Sequence, residues 1–428
     1  MKNRKGQLLL GVIAMLVVLA IVVPAMVKYI QNEVKWSEKQ AQNSNAFQLA
    51  EGAVDRAYQK LVESTSTWKA VKDGLPLAGF NFDAVYSDLP GGTYTISISS
   101  GPDLEQATIL AVGRDKQSRE ARALKVVYAN AAISQNAIRS LQGVSLSGSN
   151  EQVEWGSVLA PGSIDSNNRN HPQFYSASSI IGKDTSASPP NTDSVQWWSY
   201  YPGIPQASSI DIDAYRSSAT LDGTYYGSSQ TWGSGPGSKC DNAVKCNTGK
   251  TYFIEGDLTV KSNGIYVGGN LIITGNLNLP NGRSGQGSPT IKMPRTAWKQ
   301  YGNDWDYYKD GGPACGESWN DTTPSLPDDF PGINDSYRSD ENITMTVTSG
   351  KAITNGFIYV GGNITTGGGA GQSIFVGAAY VVGTVTLGSN NICFFYTDEA
   401  AKQILTTDVR LTRQSWLDSR QTWPAWLP

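Results

Sequence analysis

The first feature of the hydrophobic pattern is an uninterrupted apolar run close to the N-terminus. Residues 8–27 (LLLGVIAMLVVLAIVVPAMV) contain no charged side chain, and about twenty apolar residues are enough to cross a hydrocarbon core about 30 Å thick. Lys2, Arg4 and Lys5 precede the run. Because positive charge in a short flanking segment stays cytoplasmic, we expect one membrane span, with everything after Lys28 exported.

A helical pattern continues beyond this span. Apolar residues recur at three- and four-residue steps, as expected for one face of a helix; they are Ala46, Leu49, Ala50, Ala53, Val54, Ala57, Tyr58 and Leu61. One helix is therefore predicted over 7–62, transmembrane over 8–27 and amphipathic in its second half. The second half needs a globular partner along one side.

Three short runs of strand-forming residues follow, at 91–99 (GGTYTISIS), 107–114 (ATILAVGR) and 120–129 (EARALKVVYA). Turn residues separate them, which favours an antiparallel meander, with Asp115 and Lys116 as a candidate hairpin turn. We expect this sheet to cover the apolar stripe of the helix and to form a small α+β unit over 63–132.

Residues 133–250 are rich in Ser, Gly and aromatic side chains and show few periodic runs, so they are expected to be irregular. A repeat appears within 251–400, where NGIYVGGNLIITG (263–275) recurs as NGFIYVGGNITTG (355–367). Related segments are GDLTV (256–260), GNLNL (275–279) and GTVTL (383–387). Such units bury little alone and gain a core by stacking.

The predicted fold class is therefore α+β, with the N-terminal helix and its sheet followed by a large β-rich domain. A β-solenoid over 251–400, with inserted loops over about 281–342, is favoured. A β-sandwich is the alternative because it produces similar strand spacing. The composition agrees with a β-rich body, since 45 Gly and 20 Tyr accompany only 17% charged residues.

Charge argues against a nucleic-acid partner. The net charge is −3, and after residue 30 no cluster of Lys and Arg is interleaved with aromatic residues, as a phosphate-binding surface would require.

Four cysteines, Cys240, Cys246, Cys315 and Cys393, fall in the second half of the chain. In an oxidising compartment they can pair in three ways, and Cys240 with Cys246 closes the shortest loop. Buried free thiols are the alternative. A zinc site is disfavoured because there is no Cys-x-x-Cys and His171 is the only histidine.

Asp304, Asp306 and Asp310 are close enough in sequence to bind a hard cation such as calcium. Their spacing departs from an EF-hand and lacks its terminal Glu, so a solvated acidic loop is favoured and no cofactor is expected. No complete catalytic constellation stands out, because a Ser-His-Asp triad would have to use His171. The chain is therefore not expected to be an enzyme.

Two groups of aromatic residues are candidates for binding. Trp197, Trp198, Tyr200 and Tyr201 either line a sugar- or protein-binding surface or fill a core, the second being the more common role. Trp416, Trp423 and Trp426, in a Trp-rich C-terminal segment (401–428), are either an adhesive cluster or a cap on the last strands.

The N-terminal residues resemble the type IV pilin superfamily. The resemblance rests on a basic leader (1–6) ending in Gly6, on the apolar run directly after it and on Pro24 within that run. The segment FQLAEGAVDRAYQKL (47–61) is similar to PilX-like minor pilins. The resemblance implies cleavage by prepilin peptidase between Gly6 and Gln7, methylation of the new amino terminus, and assembly with other pilin-like subunits.

This chain departs from the family's major subunits at two positions. Those subunits carry Phe or Met first and Glu fifth in the mature protein, where this chain has Gln7 and Gly11. A carboxylate in an apolar helix is costly unless it is paired, and the family pairs it with a neighbouring subunit's terminal amine. The absence of Glu is shared with large tip pseudopilins of type II secretion and PilX-like minor pilins.

The resemblance thus implies a minor or tip subunit of a type IV pilus-like filament or secretion pseudopilus, held in the inner membrane before assembly and extracellular afterwards. Its β-rich body would serve assembly priming or adhesion, with a surface glycan or protein as ligand. Two alternatives for the N-terminus are a cleaved secretory signal and an unprocessed single-pass anchor. The alternative function is a surface-anchored carbohydrate-binding or carbohydrate-active β-helix protein.

Overall fold

The computed structural model describes most of the chain. The described residues are 4–427, apart from 103–105, 131–135, 147–151, 155, 166–173, 182–196, 203, 205–206, 236–238, 241–245, 247–248, 280–284, 293–317, 322–342, 348–351, 368–369, 389, 398, 401–403 and 420. They form two compact units, the first made of 1–129 with 413–428 and the second of 130–412.

The helices are α1 (Arg4–Val62), α2 (Thr65–Lys72) and α3 (Ile212–Leu221). The strands, in chain order, are β1 (Gly92–Ser100), β2 (Gln106–Asp115), β3 (Ala121–Asn130), β4 (Asn136–Ser140), β5 (Val144–Leu146), β6 (Gln152–Glu154), β7 (Ser157–Ala160), β8 (Ile164–Asp165), β9 (Phe174–Ser176), β10 (Ile180–Ile181), β11 (Trp197–Trp198), β12 (Tyr225–Tyr226), β13 (Gln230–Trp232), β14 (Thr251–Ile254), β15 (Leu258–Val260), β16 (Asn270–Ile273), β17 (Leu277–Leu279), β18 (Thr290–Lys292), β19 (Ser318–Asp321), β20 (Ile343–Thr346), β21 (Ala352–Val360), β22 (Ile364–Thr366), β23 (Ala370–Val381), β24 (Val385–Leu387), β25 (Asn390–Phe395) and β26 (Leu411–Ser419).

The first unit packs the second half of α1 on a four-stranded sheet with the order β1-β2-β3-β26. The strands β1, β2 and β3 form the predicted antiparallel meander, with Ile96 opposite Ala111 and Ala111 opposite Leu124. The apolar stripe of the helix is buried as its periodicity predicts; its buried members are Ala46, Leu49, Ala50, Ala53, Val54, Ala57 and Leu61. The α+β class is therefore confirmed.

The helix and sheet approach most closely at Gly113 in β2. A Cβ atom there would overlap the carbonyl oxygen of Ala46 and would lie 2.6 Å from the amide nitrogen of Ala50. Small residues on the helix and a glycine on the strand thus allow backbone to pack against backbone. A larger side chain at this position would force the helix away from the sheet.

The hairpin between β2 and β3 is held by one carboxylate. The buried Asp115 accepts hydrogen bonds from the backbone N–H groups of Gln117 (2.9 Å), Arg119 (2.8 Å) and Glu120 (2.6 Å). The turn therefore includes all residues from Asp115 to Glu120, and is wider than the Asp115–Lys116 turn predicted.

A polar cluster in this unit predicts a small pH effect. Arg56 Nη1 donates to Asp88 Oδ2 (2.6 Å), and the Tyr94 hydroxyl donates to Asp88 Oδ1 (2.6 Å). The hydrogen bond from Tyr94 lowers the pKa of Asp88, while burial raises the pKa of Tyr94 to about 12.

Because the folded pKa of Asp88 is depressed, its stabilisation is present above the ordinary carboxyl pKa and is lost as pH falls through the folded value. The side chains of Arg56 and Asp88 are 39% and 54% exposed, so we expect a loss of only about 0.5 kcal/mol. Thermal melts of Asp88→Asn and the parent should differ near neutral pH and converge as the pH falls through the lowered pKa of Asp88. A difference that stayed constant with pH would contradict this role of the carboxylate.

The second unit is built from two long parallel sheets. One has the order β10-β8-β5-β24-β22-β17-β15-β13, and the main path of the other is β11-β9-β7-β4-β23-β21-β16-β14-β12. Most consecutive strands alternate between the sheets, so that a layer adds one strand to each; the exceptions are β6 followed by β7, β11 followed by β12, and the separate sheet of β18, β19 and β20. An inward aliphatic row of buried side chains crosses the layers of the smaller sheet: Leu258, Leu277, Ile364, Val385, Val144, Ile164 and Ile180.

The two copies of the sequence repeat stack directly on each other. Ile272 of the first copy lies opposite Tyr359 of the second, and the following strands align Leu277 with Ile364. The strand pairings described within both sheets are parallel. This favours stacked coils over a sandwich, whose sheets pair antiparallel, while the β-solenoid class itself stays a prediction.

The order of the layers in space differs from their order along the chain. It begins with β12/β13, β14/β15, β16/β17, β21/β22 and β23/β24, and continues with β4/β5, β7/β8 and β9/β10. The layer β23/β24, near the C-terminal end of the chain, therefore pairs with the layer β4/β5, which comes first along the chain. Ala379 lies opposite Ile138, and Val385 lies opposite Val144.

Two expectations about chain organisation differ from the structure. Residues 133–250, expected to be irregular, contain β4 to β13 and α3. Those strands have two to five residues, too few for a period-two pattern to appear. Within 401–428, β26 joins the meander at the edge next to β3, which one sequence cannot show because the partner strand is remote.

The predicted insertion over 281–342 lies largely outside the described residues. Its described strands β18 and β19 each pair antiparallel with β20, which follows the insertion.

Candidate functional site

The first half of α1 is a bare apolar surface. Its most apolar 18-residue window has a mean hydropathy of 2.9 and no buried residue, and this helix is long and apolar enough to cross a membrane. Leu10 is 73% exposed and Ile21 is 67% exposed. A Cβ atom at Gly11 would meet nothing within 4 Å. This surface needs lipid or other apolar helices around it.

Charged and aromatic residues mark the end of the apolar stretch. Lys28 follows Val27 directly, and the exposed Tyr29 and Trp36 are 69% and 72% accessible. Aromatic rings and lysines are enriched where a membrane helix meets water. The apolar stretch therefore ends near residue 28, while the membrane span over 8–27 stays a prediction.

Helix α3 covers part of the outward-facing surface of the larger sheet. The ring of Tyr215 stacks on Phe357 with centroids 5.8 Å apart, and the guanidinium of Arg216 lies 5.2 Å from the centroid of Phe253. The Tyr215 hydroxyl accepts a hydrogen bond from the Leu405 N–H (2.9 Å). Phe253 and Phe357 are therefore buried beneath the helix and offer no surface to a ligand.

An aromatic group lies at the other end of this sheet. Trp198 in β11 is directly opposite Tyr175 in β9, and the ring of Tyr201 is 5.3 Å from Tyr175 and 6.0 Å from Trp198. Trp198 is 38% exposed and Tyr200 is 72% exposed. We call Tyr175, Trp198, Tyr200 and Tyr201 the aromatic platform.

The sequence prediction named three of the four platform residues. The structure brings Trp198 and Tyr201 together and leaves Trp198 and Tyr200 exposed, so these rings do not fill a core. Trp197 belongs to β11, but its side chain is outside the described residues. Tyr175 was missed because strand pairing alone brings it beside Trp198.

The outward row of the smaller sheet is polar and nearly uncharged. Its paired polar members are Thr231, Thr259, Asn278, Thr365, Thr386, Ser145 and Asp165, and the row ends in the exposed Ile181. Only Asp165 carries a charge. Short β-branched side chains suit a solvated sheet face, so we assign this row a structural role.

Two of the four cysteines are joined in the described part of the chain. Cys240 and Cys246 form a disulfide with their Cα atoms 4.7 Å apart, the shortest loop among the predicted pairings. Cys393 is buried in β25 and is also disulfide-bonded, whereas Cys315 lies outside the described residues. The alternative of free thiols is therefore wrong for the three described cysteines.

The remaining predicted sites receive no structural description. Asp304, Asp306, Asp310 and His171 all lie outside the described residues. Gly6 and Gln7 belong to α1, but the side chain of Gln7 is outside the described part of the chain. Among the residues that are described, no group of three or more His, Cys, Asp or Glu side chains could hold a metal ion.

The C-terminal tryptophans pack within the first unit. The guanidinium of Arg114 lies 4.0 Å from the ring centroid of Trp423, and that of Arg413 lies 5.0 Å from the centroid of Trp416. Trp426 is exposed, and its Nε1–H donates to the carbonyl of Phe82 (3.1 Å). Cation–π contacts therefore hold two of the three rings within the first unit, while the adhesive and capping roles stay predictions.

Sequence reasoning also missed a ladder of polar side chains in the second unit. The Asn276 N–H donates to Asp257 Oδ1 (2.7 Å), the Asn363 N–H donates to Asn276 Oδ1 (2.8 Å), and the Thr384 N–H donates to Asn363 Oδ1 (2.8 Å). The visible signal was the glycine followed by Asp, Asn or Thr in GDLTV, GNLNL and GTVTL. Those residues fasten each turn to the next.

Comparison with known proteins leaves the family unassigned. No family model and no curated protein matches this chain. The crystal structure of the competence-associated pilin ComZ from Thermus thermophilus aligns with 88% of this chain and 97% of that chain, at 12% identity and a TM-score of 0.23. At this TM-score the likeness carries no weight for fold or function.

Proposed function

We propose that this chain is a minor or tip subunit of a type IV pilus-like filament or a related secretion pseudopilus. One observation supports the proposal most strongly. A single continuous helix combines a bare apolar half with a second half buried on an antiparallel meander. The apolar half can pass from lipid into a bundle of similar helices, while the second half carries the folded units.

The absence of an acidic residue early in the helix supports the minor or tip position. Between Gln7 and Glu33 the helix has no Asp or Glu, so it offers no carboxylate to the terminal amine of a neighbouring subunit. Apolar packing alone then holds this helix among its neighbours. Such a subunit would join a filament once, at its start, and display its β-rich unit for assembly priming or adhesion.

The mature N-terminus tests this proposal. When the chain is produced in a cell that makes prepilin peptidase and type IV filaments, mass spectrometry should find a methylated N-terminus at Gln7. Gly6→Val should retain the leader, because the residue before the cleaved bond has been changed. Gln7→Ala leaves that residue intact and is the matched control.

Two outcomes would overturn the proposal. An intact Met1 would indicate an ordinary single-pass anchor, and a terminus well beyond Val27 would indicate a cleaved secretory signal. Other pilin-like subunits should co-purify with the processed protein. Their absence from a purified membrane fraction would argue against incorporation into a filament.

A carbohydrate-binding role is the second candidate, and the exposed aromatic platform is the observation that favours it. A calcium site at Asp304, Asp306 and Asp310 and a carbohydrate-active enzyme stay the less favoured alternatives. Replacing these three residues together by Asn should abolish any glycan turnover by the protein if they act in catalysis.

A further inference from the structure

The aromatic platform is held in place by its backbone. The Tyr200 N–H donates to the carbonyl of Ser178 (2.7 Å), and the Tyr201 N–H donates to the carbonyl of Ser176 (2.8 Å). Both acceptors lie in or just after β9. The segment that carries the exposed rings is therefore fastened to the stack. Because this backbone is already ordered, binding a ligand costs it little conformational entropy.

The backbone at Tyr200 is strained. Its φ of 52° lies in the left-handed region that favours glycine, where a large side chain is sterically unfavourable. The ring on this strained residue is 72% exposed, so it adds little core packing in return. Strained residues of this kind cluster at ligand sites.

The chemistry of the platform is apolar and hydroxyl-rich, without charge. Residues 174–181 (FYSASSII) and 197–202 (WWSYYP) contain no Asp, Glu, Lys or Arg. The rings of Trp198 and Tyr201 are inclined at 54° to each other, so they present faces in two directions. The hydroxyls of Tyr200 and Tyr201 and that of the exposed Ser199 supply hydrogen-bonding groups beside these rings.

We propose that Tyr175, Trp198, Tyr200 and Tyr201 form a binding site for a neutral glycan. The C–H faces of sugar rings would stack on Trp198 and Tyr200, and tyrosine hydroxyls would bond the sugar hydroxyls. A charged ligand would find no countercharge in these two segments. The inference rests on the proposed function, which places this unit outside the cell, and it gives the adhesive role a class of ligand.

The test uses the full-length protein in detergent and a panel of immobilised neutral oligosaccharides of glucose, N-acetylglucosamine, galactose and mannose. At least one should bind and should perturb tryptophan fluorescence. Trp198→Ala should weaken that binding at least tenfold. Tyr225→Ala is the matched control, because Tyr225 has the same 38% exposure but lies in β12 at the opposite end of the sheet; its affinity should stay within twofold.

Tyr200→Gly distinguishes the contribution of the Tyr200 ring to binding from its contribution to the stability of the fold. Glycine accepts the left-handed backbone without strain, so this variant should melt at or above the parent's temperature while losing at least fivefold in affinity. Parent-like binding by both platform variants would overturn the inference, as would binding only to charged glycans or to none of the panel. Because binding does not require cleavage at Gly6, this result and the N-terminal processing result can fail independently.

Discussion

Gly275→Val is expected to unfold the second unit while leaving the first intact. A Cβ atom at Gly275 would overlap Asp257 Oδ1 and would lie 2.6 Å from the carbonyl carbon of Gly256. Valine would therefore press on the backbone of the adjacent layer and displace the acceptor that holds the Asn276 N–H. We expect a loss of at least about 3 kcal/mol, because overpacking combines with a broken hydrogen bond.

Hydrogen exchange followed by mass spectrometry suits this test because it reports on each unit separately. Protection should collapse in β15, β16, β17 and β22, and should be retained in β1, β2 and β3. Thr386→Val is the control, since Thr386 lies on the partly exposed outward row of the same sheet and should shift stability by less than about 0.5 kcal/mol. Parent-like protection in the Gly275 variant would show that the layers do not pack as described.

Gly113→Leu is expected to unfold the first unit while leaving the second intact. Its side chain would intrude between β2 and α1, where a Cβ atom would overlap the Ala46 carbonyl oxygen and approach Leu49 Cβ to 2.8 Å. Because backbone atoms on a packed helix cannot yield easily, we expect a loss of at least about 3 kcal/mol in the first unit. Residues 46–61 and the meander should lose protection together, while the parallel sheets keep theirs.

Gly11→Leu supplies the matched control for this second variant. It makes the same chemical change, Gly to Leu, in α1 at a position where the new Cβ atom meets nothing within 4 Å. Its exchange pattern in detergent should equal that of the parent. If Gly113→Leu also behaved like the parent, the close approach of helix and sheet would be wrong.

The elements with strong local periodicity were predictable from sequence. The helix predicted over 7–62 is observed as Arg4–Val62, and each strand of the meander lies within one or two residues of its predicted bounds. These segments could be predicted because residues of a buried face recur many times along each of them. The internal repeat was equally informative, since its two copies occupy adjacent layers.

Short strands and remote pairings could not be predicted. The strand β8 has two residues and β5 has three, so their place in the sheet depends on neighbours rather than on their own pattern. The edge position of β26 depends on a strand more than two hundred residues earlier. Nothing local in LTRQSWLDS identifies that partner, and tertiary packing decides it.

The candidate binding group was only partly predictable. Clustered aromatics in sequence identified Trp198, Tyr200 and Tyr201, but exposure and orientation decide whether such rings bind or fill a core. Tyr175 joins them through the register between β9 and β11. The composition could suggest an aromatic surface, but only the stacking of the layers shows which aromatic rings lie side by side on it.

The interrupted order of layers has a consequence for biogenesis. During synthesis β4 and β5 are made long before β23 and β24, with which they pair; the Ser140 hydroxyl donates to the Gly383 carbonyl (2.8 Å) across 243 residues. Until that late segment arrives, the nascent chain has an open strand edge, which is prone to aggregate with other chains. The body should therefore mature slowly, and truncation before Val385 should yield an insoluble product rather than a shorter stable stack.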